Sequence, residues 1–342
     1  MEMSKRRRRR PIVIVLSVAL MLVALVFYLT PAGAAAPPGP IHLTGDLNAH
    51  DPSLTQVGKT WYVLNTGDPA VNGGTIQIKR STDGHKFVSL GTVWDAIPAW
   101  VTTAVPKVTN LWAPDVYHHG GTYYLYYAAS SFGSNQSVIG LATNTTLDPS
   151  AAGYRWVDRG LVWQSHTSDD YNAIDPGIVH GANGSPWMVF GSFWSGVRQV
   201  QLQWPSGKPV AGQTEPLRLV DRQVPPNAVE APYMVRHKSM YYLFVSFDFC
   251  CRGTDSTYKI AVGRSSSVNG PFTDELGTPL EHGGGTVILS SDATMVGPGG
   301  ASISGGLIAY HYYDGAKNGA ITLGIRRIHW GPGGWPVLTH LH

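Results

Sequence analysis

Five times along the chain, a short segment with proline and an acid or glycine is followed about ten residues later by an aromatic-rich apolar run. Aromatic and β-branched residues in short runs are typical of β-strands. Further strand-like runs lie between these units, whose starts are roughly 55 to 65 residues apart. The aromatic runs span residues 60–64, 122–127, 186–190, 241–245 and 307–313.

A repeat of this length with about four strands per unit is typical of a β-propeller blade. The five units fill residues 46–342, with no second Pro/Gly/Ser linker to divide them. The pattern therefore predicts an all-β fold, a five-bladed β-propeller in a single domain. The alternative is a β-sandwich whose aromatic strands are alike only in composition. The position of the acids disfavours it, because they always precede the same strand of the unit.

Four of the five units carry an acid before the aromatic run: Asp51, Asp115, Asp175 and Glu230. The innermost strands of a propeller meet around its axis, so we expect these four side chains to be neighbours in space. Each acid alone is explained as well by a turn or an ion ligand. Together they fit glycoside hydrolysis, which needs one protonated and one ionised carboxyl group. Crowding supplies that difference, because like charges raise the pKa of the acid that ionises last.

Residues 1–34 have the layout of a secretory leader, with a basic cluster over 5–10, an apolar run over 12–29 and small residues over 32–34. We predict cleavage after Ala34 and a short Pro-rich lead-in over 35–45. The apolar run of 18 residues is also long enough for an uncleaved membrane anchor. The predicted location is therefore secreted, or membrane-anchored with the protein facing outward.

Charge and cysteine content exclude several classes of protein. The leader holds 6 of the 25 basic residues and one of the 22 acidic ones, which leaves a net charge of −2 elsewhere. A near-neutral chain is a poor candidate for binding nucleic acid. The two cysteines, Cys250 and Cys251, are adjacent and make neither a disulfide scaffold nor a CxxC metal site. They could form a vicinal disulfide, or remain thiols because neighbouring strand residues point to opposite sides.

Several motifs resemble those of glycoside hydrolase family 43, and they follow in unbroken order from about residue 50 to the C-terminus. They are HDPS at 50–53, LWAPD at 111–115, NAIDP at 172–176, GSFWSG at 191–196 and EAPY at 230–233. Within that family, FDFCCRG at 247–253, DSTYK at 255–259 and GWP at 334–336 resemble the endo-1,5-α-L-arabinanases.

The resemblance implies a role for each of three acids. Asp51 would be the general base that activates water, and Glu230 the general acid that protonates the leaving oxygen. Asp175 would tune the pKa of Glu230 and hold it in position. The family inverts anomeric configuration, which requires carboxyl groups about 6.5–9.5 Å apart.

The resemblance also implies substrate and metal contacts. Trp112 and Phe132 would stack on furanose faces, and Asn172 and Ser192 would contact hydroxyl groups. Either aromatic residue could instead fill the core. His311 would help to hold a Ca²⁺ ion at the axis, or else it is a buried histidine bonded to the backbone. Asp115 has no assigned role, since it could orient a water molecule or cap a turn.

The predicted function is therefore endo-acting hydrolysis of arabinan or another pectin side-chain polysaccharide, by a monomer with no organic cofactor and no protein partner. Two alternatives stay open. One is an exo-acting α-L-arabinofuranosidase or β-xylosidase of the same family, and the other is a non-catalytic sugar-binding propeller. The acid triad disfavours the second, because a lectin has no need of a proton donor opposite a base.

Overall fold

A computed structural model describes residues 40–338. The predicted leader lies outside these residues. Within them the chain forms five largely antiparallel sheets arranged as the blades of a propeller, with one short helix, α1 at Ala99–Ala104, between the first two blades. The predicted all-β, five-bladed fold is confirmed. Among the residues described, no helix is long and apolar enough to cross a membrane.

In each blade the order of the strands along the chain is also their order from the axis outward, except where noted. Blade 1 contains β1 Thr44–Gly45, β2 Ser53–Val57, β3 Thr60–Asn65, β4 Gln77–Ser81 and β5 Lys86–Thr92, with β1 on its outer edge. Blade 2 contains β6 Trp112–His119, β7 Thr122–Ala129, β8 Ser137–Asn144 and β9 Val157–Ser165. Blade 3 contains β10 Gly177–His180, β11 Pro186–Phe190 and β12 Val197–Gln203, and both β13 Lys208–Pro209 and β14 Leu217–Val220 pair with β12.

The remaining strands form two blades and a hairpin. Blade 4 contains β15 Val229–His237, β16 Met240–Phe247, β17 Lys259–Ser265 and β18 Thr286–Leu289. Blade 5 contains β19 Met295–Ser304, β20 Leu307–Asp314 and β21 Ala320–Arg327. The hairpin pairs β22 His329–Trp330 with β23 Pro336–Val337. Single 3-10 turns occur at Asn72–Gly74, Gly253–Asp255, Leu280–His282, Gly315–Lys317 and Pro332–Gly334.

The blades close into a ring around the innermost strands. Strand β2 contacts β6, β6 contacts β10, β10 contacts β15, β15 contacts β19, and β19 returns to β2. The N-terminal segment seals the ring between blades 5 and 1. The Ile41 amide donates to the Ile325 carbonyl at 3.0 Å, the Leu323 amide donates to the Leu47 carbonyl at 2.8 Å, and β1 pairs with β5 in parallel. Residues 41–45 of the predicted lead-in thus hydrogen-bond to the propeller.

The core lies between the blades, as five apolar layers rather than one. Alternate residues of a strand point to opposite faces of its sheet, and here both faces are covered by a neighbouring blade. In β16, Tyr242 and Phe244 pack toward blade 5, whereas Leu243 and Val245 pack toward blade 3. This explains why the middle strands have nearly continuous apolar sequences instead of an alternating pattern.

Candidate active site

The pocket at the axis receives one pair of residues from each blade. These pairs are Asp51–Pro52, Ala113–Pro114, Asp175–Pro176, Ala231–Pro232 and Gly300–Ala301. The first residue of every pair has a positive φ: 50° at Asp51, 40° at Ala113, 59° at Asp175, 50° at Ala231 and 61° at Gly300. Non-glycine residues seldom adopt this conformation, and those that do cluster at functional sites. Asp51 and Asp175 therefore occupy equivalent positions and face the same pocket.

Glu230 lies one residue before the equivalent position of blade 4. Its two carboxyl oxygens accept hydrogen bonds from the Ser192 hydroxyl at 2.6 Å and the Tyr258 hydroxyl at 2.8 Å. The amide of the next residue, Ala231, donates to Asp175 Oδ2 at 3.0 Å. The structure thus brings Asp51, Asp175 and Glu230 together at the axis, as their motifs predict.

Asp51 is held in its ionised form. Burial alone would raise its pKa, but the imidazole of His50, 2.8 Å from Oδ2, holds the pKa well below its usual range. The Thr66 hydroxyl donates to the same oxygen at 2.7 Å and acts in the same direction. An ionised carboxylate is the form that a general base requires.

Glu230 and Asp175 have the opposite tendency. Burial raises the pKa of Glu230, and repulsion from Asp51 adds to it, although the bonds from Ser192 and Tyr258 counteract both. Burial and repulsion from Glu230 raise the pKa of Asp175 as well. Both shifts favour a proton on this pair, and the rise is the greater at Asp175. Glu230 can hold it without losing a hydrogen bond, because both of its partners are hydroxyl groups, which can accept as well as donate.

Asp115 does not line the pocket with Asp51 and Asp175. It lies two residues beyond the equivalent position Ala113, with its side chain buried below the pocket. The Ser53 hydroxyl donates to Oδ1 at 3.2 Å and the Ile178 amide donates to Oδ2 at 2.8 Å. Burial raises the pKa of Asp115 to about 7.

Comparison with known proteins agrees with this geometry. The family model for glycosyl hydrolases family 43 matches residues 44–336. The chain belongs to this family. It is 40% identical to an extracellular endo-α-(1→5)-L-arabinanase of Bacillus subtilis, over 84% of this chain and 86% of that protein. It is 36% identical to an extracellular exo-α-(1→5)-L-arabinofuranosidase of Cellvibrio japonicus, over 85% of this chain and 86% of that protein.

Among solved structures, a family 43 endo-arabinanase from Bacillus licheniformis superimposes with a TM-score of 0.81. It is 39% identical, and the match covers 87% of this chain and 99% of that one. The family resemblance derived from the motifs is therefore confirmed.

The four predicted substrate contacts have different surroundings in this family 43 chain. Ser192 contacts the carboxyl group of Glu230 directly. Trp112 is half-buried and immediately precedes Ala113, which lines the pocket. Asn172 is buried, and its Oδ1 accepts a hydrogen bond from Ser137 at 2.7 Å. Phe132 is 86% exposed on the loop after β7, so it does not fill the core.

His311 is fully buried beside the general-base candidate. One ligand atom from each of His50, Asp51 and His311 lies within 4.8 Å of the others. His311 Nε2 is buried and has no hydrogen-bond partner among residues 40–338. Burial lowers the pKa of His311 to about 3, so the ring is neutral. The Asp51 amide donates to His311 Nδ1 at 3.2 Å, so the neutral ring carries its proton on Nε2. With that proton moved to Nδ1, which lies 3.5 Å from Asp51 Oδ1, Nε2 would be able to ligate a cation.

Cys250 and Cys251 form a vicinal disulfide. Cys251 has a φ of 66°, so the backbone departs from the regular strand geometry that would separate the two thiols. Its amide donates to the Tyr313 hydroxyl at 2.7 Å, and that hydroxyl lies 3.1 Å from His50 Nε2. The disulfide loop thus packs against the residue that faces Asp51.

Three further residues at the site are not among the predicted site residues. Thr66 lies outside the quoted motifs, whereas Tyr258 lies within DSTYK at 255–259, and each bonds to one of the acids. Gly300 closes the ring in blade 5, where a Cβ atom would lie 2.8 Å from both Asp51 Oδ1 and His311 Nδ1. Only glycine fits there, because its φ is positive and the space is filled.

Proposed function

We propose that this protein is a secreted, inverting endo-α-1,5-L-arabinanase. The observation that carries the proposal is the opposed state of two acids in one axial pocket. Asp51 is stabilised as a carboxylate, whereas Glu230 lies where burial and a neighbouring negative charge favour its protonated form. Opposed protonation of two carboxyl groups is what acid–base glycoside hydrolysis requires.

The reaction is a single displacement. Asp51 takes a proton from a water molecule as the water oxygen attacks the anomeric carbon, and Glu230 gives its proton to the leaving glycosidic oxygen. Each turnover ends with the proton on Asp51 and the negative charge on Glu230, and exchange with solvent restores both. Asp175 orients the segment that carries Glu230 by accepting from the Ala231 amide, and the repulsion between the two carboxyl groups supports its assignment as the residue that tunes Glu230. This mechanism expects the carboxyl groups of Asp51 and Glu230 to be about 6.5–9.5 Å apart.

Arabinan is the substrate that the relatives support. The B. subtilis relative is named for endo-acting cleavage of α-1,5-linked arabinan, and its similarity extends over most of both chains. Trp112 beside the pocket offers an aromatic face to the apolar side of a furanose ring. The names of both curated relatives include the word extracellular, which supports secretion under the direction of the leader predicted over residues 1–34.

A Ca²⁺ ion at the axis is part of the proposal. His311 would hold it through Nε2, with water supplying the oxygen ligands that calcium prefers. When bound, the cation would supply positive charge near Asp51 and favour its ionised form.

Exo-acting cleavage is the second candidate, favoured by the C. japonicus relative at 36% identity. Early digestion of debranched arabinan, resolved by product size, separates the two. An endo-enzyme gives a ladder of oligosaccharides, whereas an exo-enzyme releases only the smallest products from the start.

The same digest tests whether the protein is an enzyme at all. We expect wild type to release reducing ends and Glu230→Ala to lose nearly all of this activity, with Gln199→Ala in the outer part of blade 3 as a control for folding. Absence of release by wild type, together with arabinan binding unaffected by Glu230→Ala, would contradict the proposal and indicate a sugar-binding propeller.

A further inference from the structure

Next to the pocket, and lining part of it through Tyr233 and Ser302, a second set of equivalent residues joins the innermost strands. Each lies two residues after the positive-φ position of its blade: Ser53, Asp115, Gly177, Tyr233 and Ser302. We name this set the axial belt.

The belt connects every pair of neighbouring blades. Blades 1, 2 and 3 are joined through Asp115, which accepts from Ser53 and from the Ile178 amide. Blades 5 and 1 are joined by the Leu54 amide, which donates to the Ser302 hydroxyl at 3.0 Å. Blades 4 and 5 are joined by the Tyr233 hydroxyl, which donates to the Ile303 carbonyl at 3.3 Å.

Glycine completes the belt between blades 3 and 4. A Cβ atom on Gly177 would lie 2.7 Å from the Pro232 carbonyl oxygen, so the two strands approach too closely for any side chain. In a packed interior such a contact has little room to adjust. The belt therefore fixes the spacing of the strand starts that carry the acids.

Asp115 differs from the other members in joining two blade boundaries with one side chain. Its two oxygens bind partners on opposite sides: Ser53 lies two residues after Asp51, and Ile178 lies three residues after Asp175. The Ser53 hydroxyl also accepts a hydrogen bond from the Val116 amide at 3.0 Å, so one donated and one accepted bond hold Ser53 against blade 2.

Burial of a carboxyl group at this position costs free energy. Asp115 is 2% exposed, and among residues 40–338 it forms no ion pair with a basic side chain. Burying such a group without a cation is unfavourable unless its hydrogen bonds compensate. Here the bonds connect the two strands that begin with Asp51 and Asp175. The geometry therefore indicates a use for this acid that the hydrolytic steps leave unassigned.

We propose that Asp115 is a positioning residue of the active site, which sets the separation of Asp51 and Asp175 by binding the beginnings of their strands from the blade between them. It does not touch the substrate. It acts through Ser53 and Ile178, and its removal lets β2 and β10 move relative to each other.

The test is a comparison of kcat and KM for linear arabino-oligosaccharides, and it rests on the proposed function for its assay. In Asp115→Ala both bonds are lost, and we expect kcat to fall by about tenfold or more, because small displacements of catalytic groups have effects of that size. We expect KM to change by less than about twofold, since the substrate contacts stay in place. Asp115→Asn keeps the size and one acceptor, so it should recover most of the lost kcat.

A purely structural role is separated by a matched control. Gln199 is also fully buried and uses both ends of its side chain across a blade boundary, at Val268 and Asn269, but far from the axis. Gln199→Ala should lower the melting temperature by a similar amount while keeping kcat and the pH profile of wild type. In Asp115→Ala the alkaline limb of kcat/KM should move to lower pH. As Asp51 moves away from Asp175 and Glu230, its charge repels Glu230 less and favours the protonated form of Glu230 less.

The inference is overturned if Asp115→Ala loses thermal stability as Gln199→Ala does but keeps the kcat and pH profile of wild type. Should Asp115→Ala fail to fold, Ser53→Ala takes its place. It removes the two bonds of the Ser53 hydroxyl to blade 2, at Asp115 and at the Val116 amide, and keeps the bond from Ile178 to Asp115. Unchanged kcat in that variant also overturns the inference. Failure of the proposed function is a different result, because wild type would then leave arabino-oligosaccharides intact.

Discussion

Ser192 donates the shorter of the two hydrogen bonds to Glu230, at 2.6 Å, and its replacement by alanine should move the alkaline limb of the pH profile. A hydrogen bond to a charged group contributes about 1.5–3 kcal/mol and one between neutral groups about 0.5–1.5 kcal/mol, so the bond favours the carboxylate by roughly 1–1.5 kcal/mol. At about 1.4 kcal/mol per pKa unit, Ser192→Ala should raise the pKa of Glu230 by roughly one unit.

In the proposed mechanism Glu230 is the acid, which fixes the direction of the expected shift in its pKa. Its pKa is already raised by burial, and the Ser192 bond opposes that rise. Without the bond Glu230 keeps its proton to higher pH, so the alkaline limb of kcat/KM should move upward by about one pH unit. The acidic limb should stay, because the groups that hold Asp51 ionised are unchanged. The assay is kcat/KM for a linear arabino-oligosaccharide across both limbs.

Two outcomes would refute this reasoning. If Ser192 serves only to contact a substrate hydroxyl, KM rises and neither limb moves. If the alkaline limb moves to lower pH, Glu230 is not the group that titrates there. Ser81→Ala is the matched control, since Ser81 is also buried and bonds an aspartate, Asp83, at 2.9 Å in the outer part of blade 1. Its pH profile should equal that of wild type.

Three further predictions concern the axis. Gly300→Ala should lower kcat by about a hundredfold, because the added methyl group displaces the Asp51 carboxylate. Gly306 also has a positive φ, of 78°, but no atom lies near its Cβ position, so Gly306→Ala should keep wild-type kcat. Equal activity of the two variants would contradict this prediction. Because the pKa of Asp115 is about 7 in the fold against 3.8 ordinarily, folded protein holds a proton that the unfolded chain releases, and stability should fall by on the order of 4 kcal/mol between about pH 4 and 7. Urea unfolding should show this slope in wild type and its absence in Asp115→Asn; an equal slope in both would contradict it. Chelation by EDTA should lower the melting temperature of wild type, with recovery on added Ca²⁺, while His311→Ala should be insensitive to both; a wild type indifferent to chelation would remove calcium from the account.

The repeat could be predicted because runs of similar amino-acid composition recur along the chain. Each blade needs aromatic and β-branched strands covered on both faces, and those runs stand out in the sequence at a regular spacing. The acids could be assigned to one pocket by the same logic, since the ring geometry follows from the repeat. The sequence also contained the segment that seals the ring, but its hydrogen bonds join Ile41 to Ile325 across nearly the whole chain. No local pattern indicates such a pairing.

The register of the acids could not be predicted from the motifs. Aligned on their acidic residues, the motifs make Asp51, Asp115, Asp175 and Glu230 appear equivalent. The structure aligns the positive-φ residues instead, which places Glu230 one residue earlier and Asp115 two residues later than the other two. In a regular strand a one-residue shift changes the side that a residue faces, whereas a two-residue shift moves it along the same side. The pairing of β15 with β16 and of β6 with β7 is irregular at these places, so the strand pattern alone does not predict where the acids point. Backbone conformation, rather than residue type, thus separates the three acids of the pocket from the one in the axial belt.

Several partners of the acids lie in distant segments, and the sequence does not show which acid each of them contacts. Tyr258 reaches Glu230 from the start of β17, and Thr66 reaches Asp51 from the end of β3. His50 stacks on His311 with ring centroids 3.7 Å apart, and the amide of Asp51 bonds to His311, which lies 260 residues further along the chain. Each contact depends on the closed ring, so it becomes visible only in three dimensions.

The anomeric form of the first product tests the central claim most directly, because it reports whether water or a carboxylate attacks the sugar. Proton NMR of a fresh digest of α-1,5-linked arabino-oligosaccharide should show the β-anomer at the new reducing end before mutarotation, as expected when Asp51 acts through water and Glu230 protonates the leaving oxygen. Initial accumulation of the α-anomer would mean retention through a covalent intermediate, and would contradict the assignment of Asp51 as a base.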